Sequence, residues 1–272
     1  MNKKPTLLST VEPWDRVAAG YAETTMNFFK VYAERALTLA ELSEESSILD
    51  VACGPGTLSL QAASAVRSIQ ALDFSPSMID LFRTRVNQEQ YQNIAMQCGD
   101  GQNLPFEDAS FDAAFSMFGL MFFPDRDRGY AEIYRTLKTG GRAVISSWAP
   151  VSDSPAMQLM FGALKTIKPD LPSPETNFNS LENPEFFARE LQQAGFKEVK
   201  ILPVIGEYPV EDHAIFWSNM VKGSAPIVEM RRNMSTEEWD EKQNMALNYI
   251  VKQIPNLPSV LTTKAWLGFG IK

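Results

Sequence analysis

The most constraining feature of this sequence is a buried-strand pattern that breaks at a glycine-rich turn. Residues 47–52 read Ser-Ile-Leu-Asp-Val-Ala, Gly54-Pro55-Gly56 follows, and a short helix pattern then runs to about Val66. Glycines between a strand and a helix let a ligand approach the backbone, and a helix N-terminus attracts a carboxylate or a phosphate. The pattern therefore predicts a ligand-binding loop, although a tight turn without a ligand has the same signature.

The first 150 residues alternate strand patterns with helix patterns at short intervals. Strands are predicted at 69–73, up to about Cys98, at 111–117 and at 142–148. Helices are predicted at 29–40, from Ser75-Pro76 onward, and from Tyr130 through Leu137 to the glycines at 140 and 141. This alternation is typical of a parallel sheet covered by helices, so we expect an α/β fold.

After Pro150 the regular alternation of strand and helix patterns ends. The segment 151–182 is predicted to be irregular around one helix at 157–167, and a helix at 183–195 and a strand at 199–204 follow. Ser235 and Glu238 match a capping box that opens another helix, and residues 264–271 form a plausible last strand. We therefore divide the chain into an N-terminal helical lid at 1–44 and a core at 45–272, with cap insertions at about 151–182 and 207–258.

The charge balance limits the partners that this chain can have. It carries 25 basic and 33 acidic residues, a formal net charge of -8, and such a surface repels the phosphate backbone of nucleic acids. No stretch approaches 18 consecutive apolar residues, so we expect no membrane span. The two cysteines fit neither a disulfide framework nor a metal site, and we expect a cytoplasmic protein with a small-molecule partner.

Three acids are predicted to meet near the glycine turn. Asp50 lies in the first strand, Asp100 follows the third, and Asp73 ends the second, about 20 residues beyond Gly54, where dinucleotide-binding folds place an acid for the ribose hydroxyls. The carboxyl ends of parallel strands share one edge of the sheet, which is where such folds bind ligands. We therefore expect the three carboxylates to border one binding site.

The charge of this site favours one nucleotide-like ligand over another. The turn is not GxGxxG, because Ser59 stands where the third glycine would be, and three carboxylates are a poor setting for a pyrophosphate. S-adenosylmethionine instead carries a sulfonium, an ammonium and one carboxylate. S-adenosylmethionine is the better cofactor on these grounds, and a nicotinamide-dependent oxidoreductase or a non-catalytic protein that binds S-adenosylmethionine remains the alternative.

Four segments in order resemble those of class I S-adenosylmethionine-dependent methyltransferases: ILDVACGPGTLS, ALDFSPSMID, CGDGQNLPFEDASFDAAFSMFGLMFF and YRTLKTGGRAVISSW. They are similar to the branch that contains ubiquinone/menaquinone-type and many natural-product enzymes, over roughly residues 45–150. The resemblance implies methyl transfer to a small molecule. It also implies a Rossmann-like, seven-stranded, mostly parallel sheet with helices on both faces and a helical cap.

The resemblance also implies roles for individual residues in binding S-adenosylmethionine. The methionine portion would lie against Asp50, Ala52, Gly54 and Gly56. Asp73 would bind the ribose, Phe74 and Met78 would flank the adenosine, and Asp100, Gly101 and Gln102 would meet the adenine. Ser116 and Met117 would line the path to the methyl group, and Tyr21 resembles a lid tyrosine of this branch.

The acceptor side departs from the quinone-type pattern. The fourth strand runs into residues 118–123, Phe-Gly-Leu-Met-Phe-Phe, where quinone-type enzymes tend to have FGLRN. This departure counts against quinone C-methylation without excluding it. Side chains that favour an apolar acceptor, or that form the core of the cap itself, are Phe118, Met121, Phe161, Phe216, Trp217 and Met220. No metal site is predicted.

His213 is the single histidine of the chain and therefore the obvious candidate for a general base. A histidine beside two acids at a helix start is also often solvated or part of a cap. We prefer a mechanism dominated by positioning of the reactants, with His213 as the alternative base. The sequence does not indicate the oligomeric state.

Overall fold

The computed structural model describes residues 6–172, 174 and 180–272. The strands are β1 Ser47–Val51, β2 Ser68–Asp73, β3 Ile94–Cys98, β4 Phe111–Ser116, β5 Leu137–Trp148, β6 Lys197–Val210 and β7 Ser259–Ile271. The helices are α1 Glu12–Thr24, α2 Met26–Ala40, α3 Thr57–Ala62, α4 Pro76–Glu89, α5 Arg126–Thr136, α6 Pro155–Ile167, α7 Pro184–Gln193, α8 His213–Gly223, α9 Ala225–Arg232 and α10 Thr236–Gln253. Part of the predicted 151–182 insertion lies outside the described residues.

The strands form one seven-stranded sheet in the order β3-β2-β1-β4-β5-β7-β6. Neighbours from β3 to β5 are parallel, and β7 runs antiparallel to both β5 and β6. The strand order reverses between β1 and β4, and open α/β sheets bind ligands in the crevice at such a switch point. The predicted fold class, a Rossmann-like and mostly parallel seven-stranded sheet, is confirmed.

Both faces of the sheet are buried under helices. Ile48 faces a core layer supplied by α2, α3 and α4, whereas its neighbours Leu49 and Val51 face a layer supplied by α5 and α7. Alternate residues of a strand point to opposite faces, so a strand covered on both sides is apolar throughout. Helices α6, α8 and α10 enclose a separate apolar cluster that forms the core of the cap.

Two helix starts follow the sequence signals. The Ser75 hydroxyl accepts a hydrogen bond from the Met78 amide at 3.2 Å, with Pro76 at the first helical position of α4. The Ser235 hydroxyl accepts from the Glu238 amide at 3.1 Å at the start of α10. Both predicted caps are confirmed.

Two element boundaries differ from the sequence-based prediction. Helix α5 ends at Thr136 rather than at the glycines, because Leu137 pairs with Phe111 of β4 and begins β5. Gly140 then takes a left-handed φ of 80°, where the β4–β5 register shifts. Strands β6 and β7 also extend well beyond the predicted 199–204 and 264–271, because they pair with each other along a long hairpin. Among the described residues, no helix is long and apolar enough to cross a membrane.

A buried ion pair joins two helices on the α5–α7 face. The Arg126 guanidinium donates to both carboxylate oxygens of Glu190, at 3.0 Å from Nε and 2.6 Å from Nη2. The two side chains are only 13% and 9% exposed. Removing one partner of such a pair leaves an uncompensated buried charge, whereas replacing both removes the desolvation cost as well.

We expect Glu190→Ala to lower the free energy of unfolding by about 3–5 kcal/mol. The double variant Arg126→Met/Glu190→Leu is expected to be clearly more stable than this single variant, because neither charge is then buried. Urea unfolding monitored by circular dichroism measures both. If the double variant is as unstable as Glu190→Ala, the loss of stability does not come from the uncompensated charge of Arg126.

Candidate active site

A cavity of about 610 Å³ opens at the carboxyl ends of β1, β2, β3 and β4. This volume is typical of a small-molecule site. The cavity lies at the carboxyl ends of the strands, beside the switch point between β1 and β4, where open α/β sheets bind ligands. Helices α1, α2, α6 and α8 complete its wall. The cavity therefore joins the nucleotide-binding edge of the sheet to the cap.

The turn after β1 leaves its backbone open toward the cavity. Gly54 has a left-handed φ of 53°, and a Cβ atom at this position would meet nothing within 4 Å. Ala52 also has a positive φ, 57°, which is unusual for a residue with a side chain. Both residues line the cavity, so a ligand can approach this stretch of main chain closely.

Asp73, at the end of β2, ties two loops together at the floor of the cavity. One carboxylate oxygen accepts the Gly54 amide at 2.8 Å and the other accepts the Ser75 amide at 2.9 Å. The two oxygens of a carboxylate offer about four acceptor positions, so capacity for two further donors remains. A pair of ribose hydroxyls matches this remaining capacity.

Asp50, in β1, has an unsatisfied oxygen. Its Oδ2 accepts the Ser59 hydroxyl at 2.6 Å, whereas Oδ1 is buried without a hydrogen-bond partner. Asp50 lines a small side cavity together with Ala52 and Gly54. A buried carboxylate oxygen without a partner is costly, so this position fits a ligand that brings a cation or a donor.

Burial shifts the protonation of both acids. It raises the pKa of Asp50 to about 7, with a smaller rise from the nearby Asp73, against the hydrogen bond from Ser59. It likewise raises the pKa of Asp73 to about 6, although the Ser75 and Gly54 amides oppose the shift. A cation placed between these carboxylates would stabilise their ionised forms and lower both pKa values.

The lid helix is attached to the floor of the site. The Asp15 carboxylate in α1 accepts the Ser75 hydroxyl at 2.5 Å and the Ser77 amide at 3.1 Å, at the N-terminus of α4. Further along α1, Tyr21 lines the cavity and stacks on Phe29 of α2, with 5.6 Å between ring centroids. The same helix therefore contacts both the start of α4, beside Asp73, and the aromatic side of the cavity.

The aromatic side of the cavity lies above the end of β4. Phe118 and Trp148 rings are 4.2 Å apart, and Phe29 packs against both, at 5.0 Å and 5.8 Å. Tyr208 closes this group from the β6–β7 hairpin, 5.7 Å from Phe28. We call this part of the cavity, lined by Phe28, Phe29, Phe118, Trp148 and Tyr208, the aromatic chamber.

Most of the residues predicted for the cofactor meet in this cavity. The lining includes Tyr21, Ala52, Gly54, Asp73, Phe74, Met78, Asp100, Gly101, Gln102 and Met117. Asp50 lies in the adjoining side cavity. Two others support the wall from behind: the Ser116 hydroxyl accepts the Leu120 amide, and Gly56, with a φ of 89°, begins α3 against the Phe82 ring.

The predicted acceptor residues divide into two groups. Phe118, Phe216 and Met220 line the cavity. Trp217 lies in the apolar core of the cap because it is on another side of α8, and Phe161 is half-buried on α6 outside the wall. Met121 packs between the two core layers of the sheet, so these three residues do not form the pocket that the sequence suggested.

His213 also lies away from the cavity. Its Nε2 contacts the Ile254 carbonyl oxygen at 2.7 Å, which ties the start of α8 to the end of α10. This contact gives the imidazole a structural role in the cap. The structure does not bring His213 to the other site residues.

Several wall residues were missed by the sequence reasoning. Phe28, Trp148 and Tyr208 come from three elements that are far apart in the chain, and Asn219 faces them from α8. Phe29 was assigned to the buried face of its helix, where it also lines the cavity. The concentration of aromatic residues at 28–32 was the one available signal.

Comparison with known proteins identifies the family of this chain. A family model described as a methyltransferase domain matches residues 48–141. The ubiquinone/menaquinone biosynthesis C-methyltransferase UbiE of Citrifermentans bemidjiense is 32% identical over 179 residues, which cover 61% of this chain and 76% of that protein. The demethylmenaquinone methyltransferase of Chlorobaculum parvum is 31% identical over 195 residues, covering 66% and 78%.

A solved structure agrees on the fold. The YcgJ protein of Bacillus subtilis superimposes with a TM-score of 0.55 at 20% identity, covering 88% of this chain and 97% of that one. The chain belongs to the class I S-adenosylmethionine-dependent methyltransferases, and its cofactor is S-adenosylmethionine. The unpaired oxygen of Asp50, the open main chain at Gly54 and the two free acceptor positions of Asp73 fit that cofactor.

We expect the affinity for S-adenosylhomocysteine, the demethylated product, to rise between pH 5 and pH 7.5. Asp50 and Asp73 are protonated at pH 5 and ionise near pH 7 and pH 6, so the attraction for the ligand's ammonium develops over this range. Calorimetric titration at four pH values measures it.

Asp50→Asn should bind more weakly at pH 7.5 and show a flatter pH profile, since one titrating group is gone. Asp80→Asn, which changes an exposed carboxylate paired with Arg83 outside the cavity, is the matched control and should keep the wild-type profile. A pH-independent affinity in the wild type would contradict the electrostatic role of the two buried acids.

Proposed function

We propose that this chain transfers the methyl group of S-adenosylmethionine to an uncharged, flat and mainly apolar small molecule. The observation that carries the proposal is the continuity of one cavity, which runs from Asp73 to the aromatic chamber. Among the described lining residues, the acidic side chains are Asp73 and Asp100, both on the donor side, and none is Lys, Arg or His. An acceptor bound in the aromatic chamber therefore meets rings and thioethers rather than charges.

The curated relatives support an apolar acceptor but not a particular one. One is named a ubiquinone/menaquinone biosynthesis C-methyltransferase and the other a demethylmenaquinone methyltransferase. At the end of β4 this chain has Phe122 in the wall, 5.4 Å from the lid residue Trp14, in a segment that departs from the quinone-type pattern. We therefore propose a flat ring system as the acceptor class and a cytoplasmic setting for the reaction.

The chain contributes to the reaction mainly by positioning. When bound, S-adenosylmethionine supplies a methyl group whose bond to sulfur breaks as the acceptor's electron pair forms the new bond, and the acceptor loses a proton. Asp73 and Asp50 hold the donor end, and the aromatic chamber orients the acceptor and excludes water. Such alignment is worth up to roughly 7–11 kcal/mol in favourable cases.

Among the described residues, the acceptor side of the wall has no strong base for the acceptor's proton. Burial raises the pKa of Tyr21 and that of Tyr208, so both phenols stay protonated at neutral pH. His213 contacts the Ile254 carbonyl oxygen instead of the cavity. The proposed acceptor therefore ionises by itself or loses its proton to water.

The proposal is tested by incubating the protein with fractionated metabolite extracts and S-adenosylmethionine labelled in its methyl group. We expect label in an apolar fraction. Asp73→Ala should reduce labelling by about tenfold or more, because charge-assisted hydrogen bonds contribute about 1.5–3 kcal/mol each. The control Asp80→Ala should label at the wild-type rate. Label confined to charged metabolites would refute the acceptor class.

For His213→Ala we expect turnover in the same assay to fall less than tenfold. The imidazole binds within the cap, so its loss affects packing at Ile254 rather than proton transfer. A general base contributes about 10²–10⁴-fold. A loss in that range, with unchanged affinity for S-adenosylhomocysteine, would make His213 the base after all.

A further inference from the structure

Two polar side chains meet in the mainly apolar wall of the aromatic chamber. Tyr208 is near the end of β6 and Asn219 is in α8, and both line the cavity. The Asn219 Nδ2 donates to the Tyr208 hydroxyl at 3.4 Å, which is long for a hydrogen bond and therefore weak. Among the described residues, the Tyr208 hydroxyl proton and the Asn219 Oδ1 have no hydrogen-bond partner.

The neighbouring hydroxyls of the wall are already engaged. Thr24 donates to the Gly20 carbonyl at 2.8 Å and Thr25 donates to the Tyr21 carbonyl at 2.6 Å, one turn back along their helix. The Thr263 hydroxyl pairs with the Tyr32 hydroxyl at 2.6 Å. Tyr208 and Asn219 thus differ from these threonines in having unused hydrogen-bonding capacity next to each other.

The arrangement of the pair restricts what it can bind. The Tyr208 ring is held edge-on against Phe216, with 5.3 Å between centroids, and also packs on Phe28, so its hydroxyl has little freedom to turn away. Burial raises the pKa of Tyr208, which keeps the hydroxyl a donor. No Lys, Arg or His is among the described lining residues, so nothing there compensates an anion.

We propose that Tyr208 and Asn219 bind one uncharged oxygen, a hydroxyl or carbonyl carried on the flat ring of the methyl acceptor. The Tyr208 hydroxyl donates to that oxygen, and an acceptor hydroxyl in turn donates to the Asn219 Oδ1. The Asn219 amide, by donating to the Tyr208 oxygen, strengthens the tyrosine as a donor. The inference rests on the proposed function and makes this pair the group that selects a hydroxylated ring over a bare or an anionic one.

Selectivity follows from what each competitor leaves unpaired. A bare hydrocarbon ring would bury the Tyr208 hydroxyl and the Asn219 amide oxygen without partners. A ring carboxylate would place a charge in a chamber without a cation, and burying an unpaired charge is more costly still. A site built to hydrogen-bond a hydroxyl rejects analogues that lack it for this reason.

The test uses three probes with one ring skeleton: 1-naphthol, naphthalene and 1-naphthoate. Equilibrium dialysis of the labelled probes is performed at pH 7.5 on the full chain saturated with S-adenosylhomocysteine. We expect wild-type protein to bind 1-naphthol about tenfold tighter than naphthalene and tighter still than 1-naphthoate. Tyr208→Phe and Asn219→Leu should each reduce the preference for 1-naphthol over naphthalene severalfold while leaving naphthalene binding unchanged or tighter.

Tyr249→Phe is the matched control, since it removes a phenol hydroxyl from the cap outside the cavity wall. It should keep the wild-type preference. If Tyr208→Phe fails to fold, as judged by thermal unfolding, Asn219→Leu decides. Unchanged preference in the folded variants, tighter binding of 1-naphthoate, or no binding of any probe to the wild type would overturn the inference.

Two measurements distinguish an error in the proposed function from an error in the roles of Tyr208 and Asn219. Calorimetry of the wild type with S-adenosylhomocysteine comes first, and absence of binding there refutes the donor site and hence the proposed function. Binding of S-adenosylhomocysteine with unaltered probe selectivity in the variants refutes the role of Tyr208 and Asn219 alone.

Discussion

The buried carboxylate of Asp73 is the interaction on which the rest of the site depends. It is 5% exposed, and its two oxygens hold the Gly54 amide on one side and the Ser75 amide on the other. These two hydrogen bonds fix the loop after β1 relative to the start of α4. The Ser75 hydroxyl then binds Asp15, so the lid helix is positioned through the same residue. One side chain thereby orders three segments that are distant in sequence.

This arrangement is energetically unfavourable in one respect, because it removes the carboxylates of Asp50 and Asp73 from water. Asp50 and Asp73 are almost fully buried, and the charge of Asp73 raises the energy of ionised Asp50. Cys53 is buried beside them, and burial raises the pKa of its thiol, so it stays uncharged and neither adds to nor balances the negative charge. The protein thus presents unbalanced negative charge that a cationic ligand neutralises. That explains physically why a sulfonium cofactor suits a glycine turn that otherwise resembles a pyrophosphate loop.

The donor side was largely predictable from sequence and the acceptor side was not. Asp50, Gly54 and Asp73 lie at strand ends, and parallel topology alone brings such positions to one edge of the sheet. The acceptor wall instead depends on which side of a cap helix faces the cavity. On α8, Phe216 and Trp217 are neighbours in sequence and both pack in the core of the cap, yet only Phe216 also lines the cavity. Periodicity identifies an apolar side but cannot tell a pocket from a core.

The remaining differences between the predicted and the observed elements come from strand pairing between residues far apart in the chain. Leu137 continues the apolar stripe of α5 at helical spacing, but its pairing with Phe111 makes it the first residue of β5. Tyr208 was not recognised as a site residue because the predicted strand stopped at 204, before the hairpin with β7 carries β6 on to Val210. Both errors concern contacts between residues far apart in the chain, which local propensity does not encode.

Helix α1 contacts elements on both sides of the cavity. Gly20 of α1 lies so close to the backbone of Lys222 in α8 that a side chain at that position would collide with the Lys222 carbonyl. Arg85 of α4 donates to the carbonyl of Ala22 in α1, and Thr24 approaches the carbonyl of Asn219. Helix α1 is therefore packed against the donor side through α4 and against the acceptor wall through α8. The proposed mechanism, which relies on positioning rather than on a base, needs the distance between donor and acceptor to be fixed, and one shared helix provides that constraint.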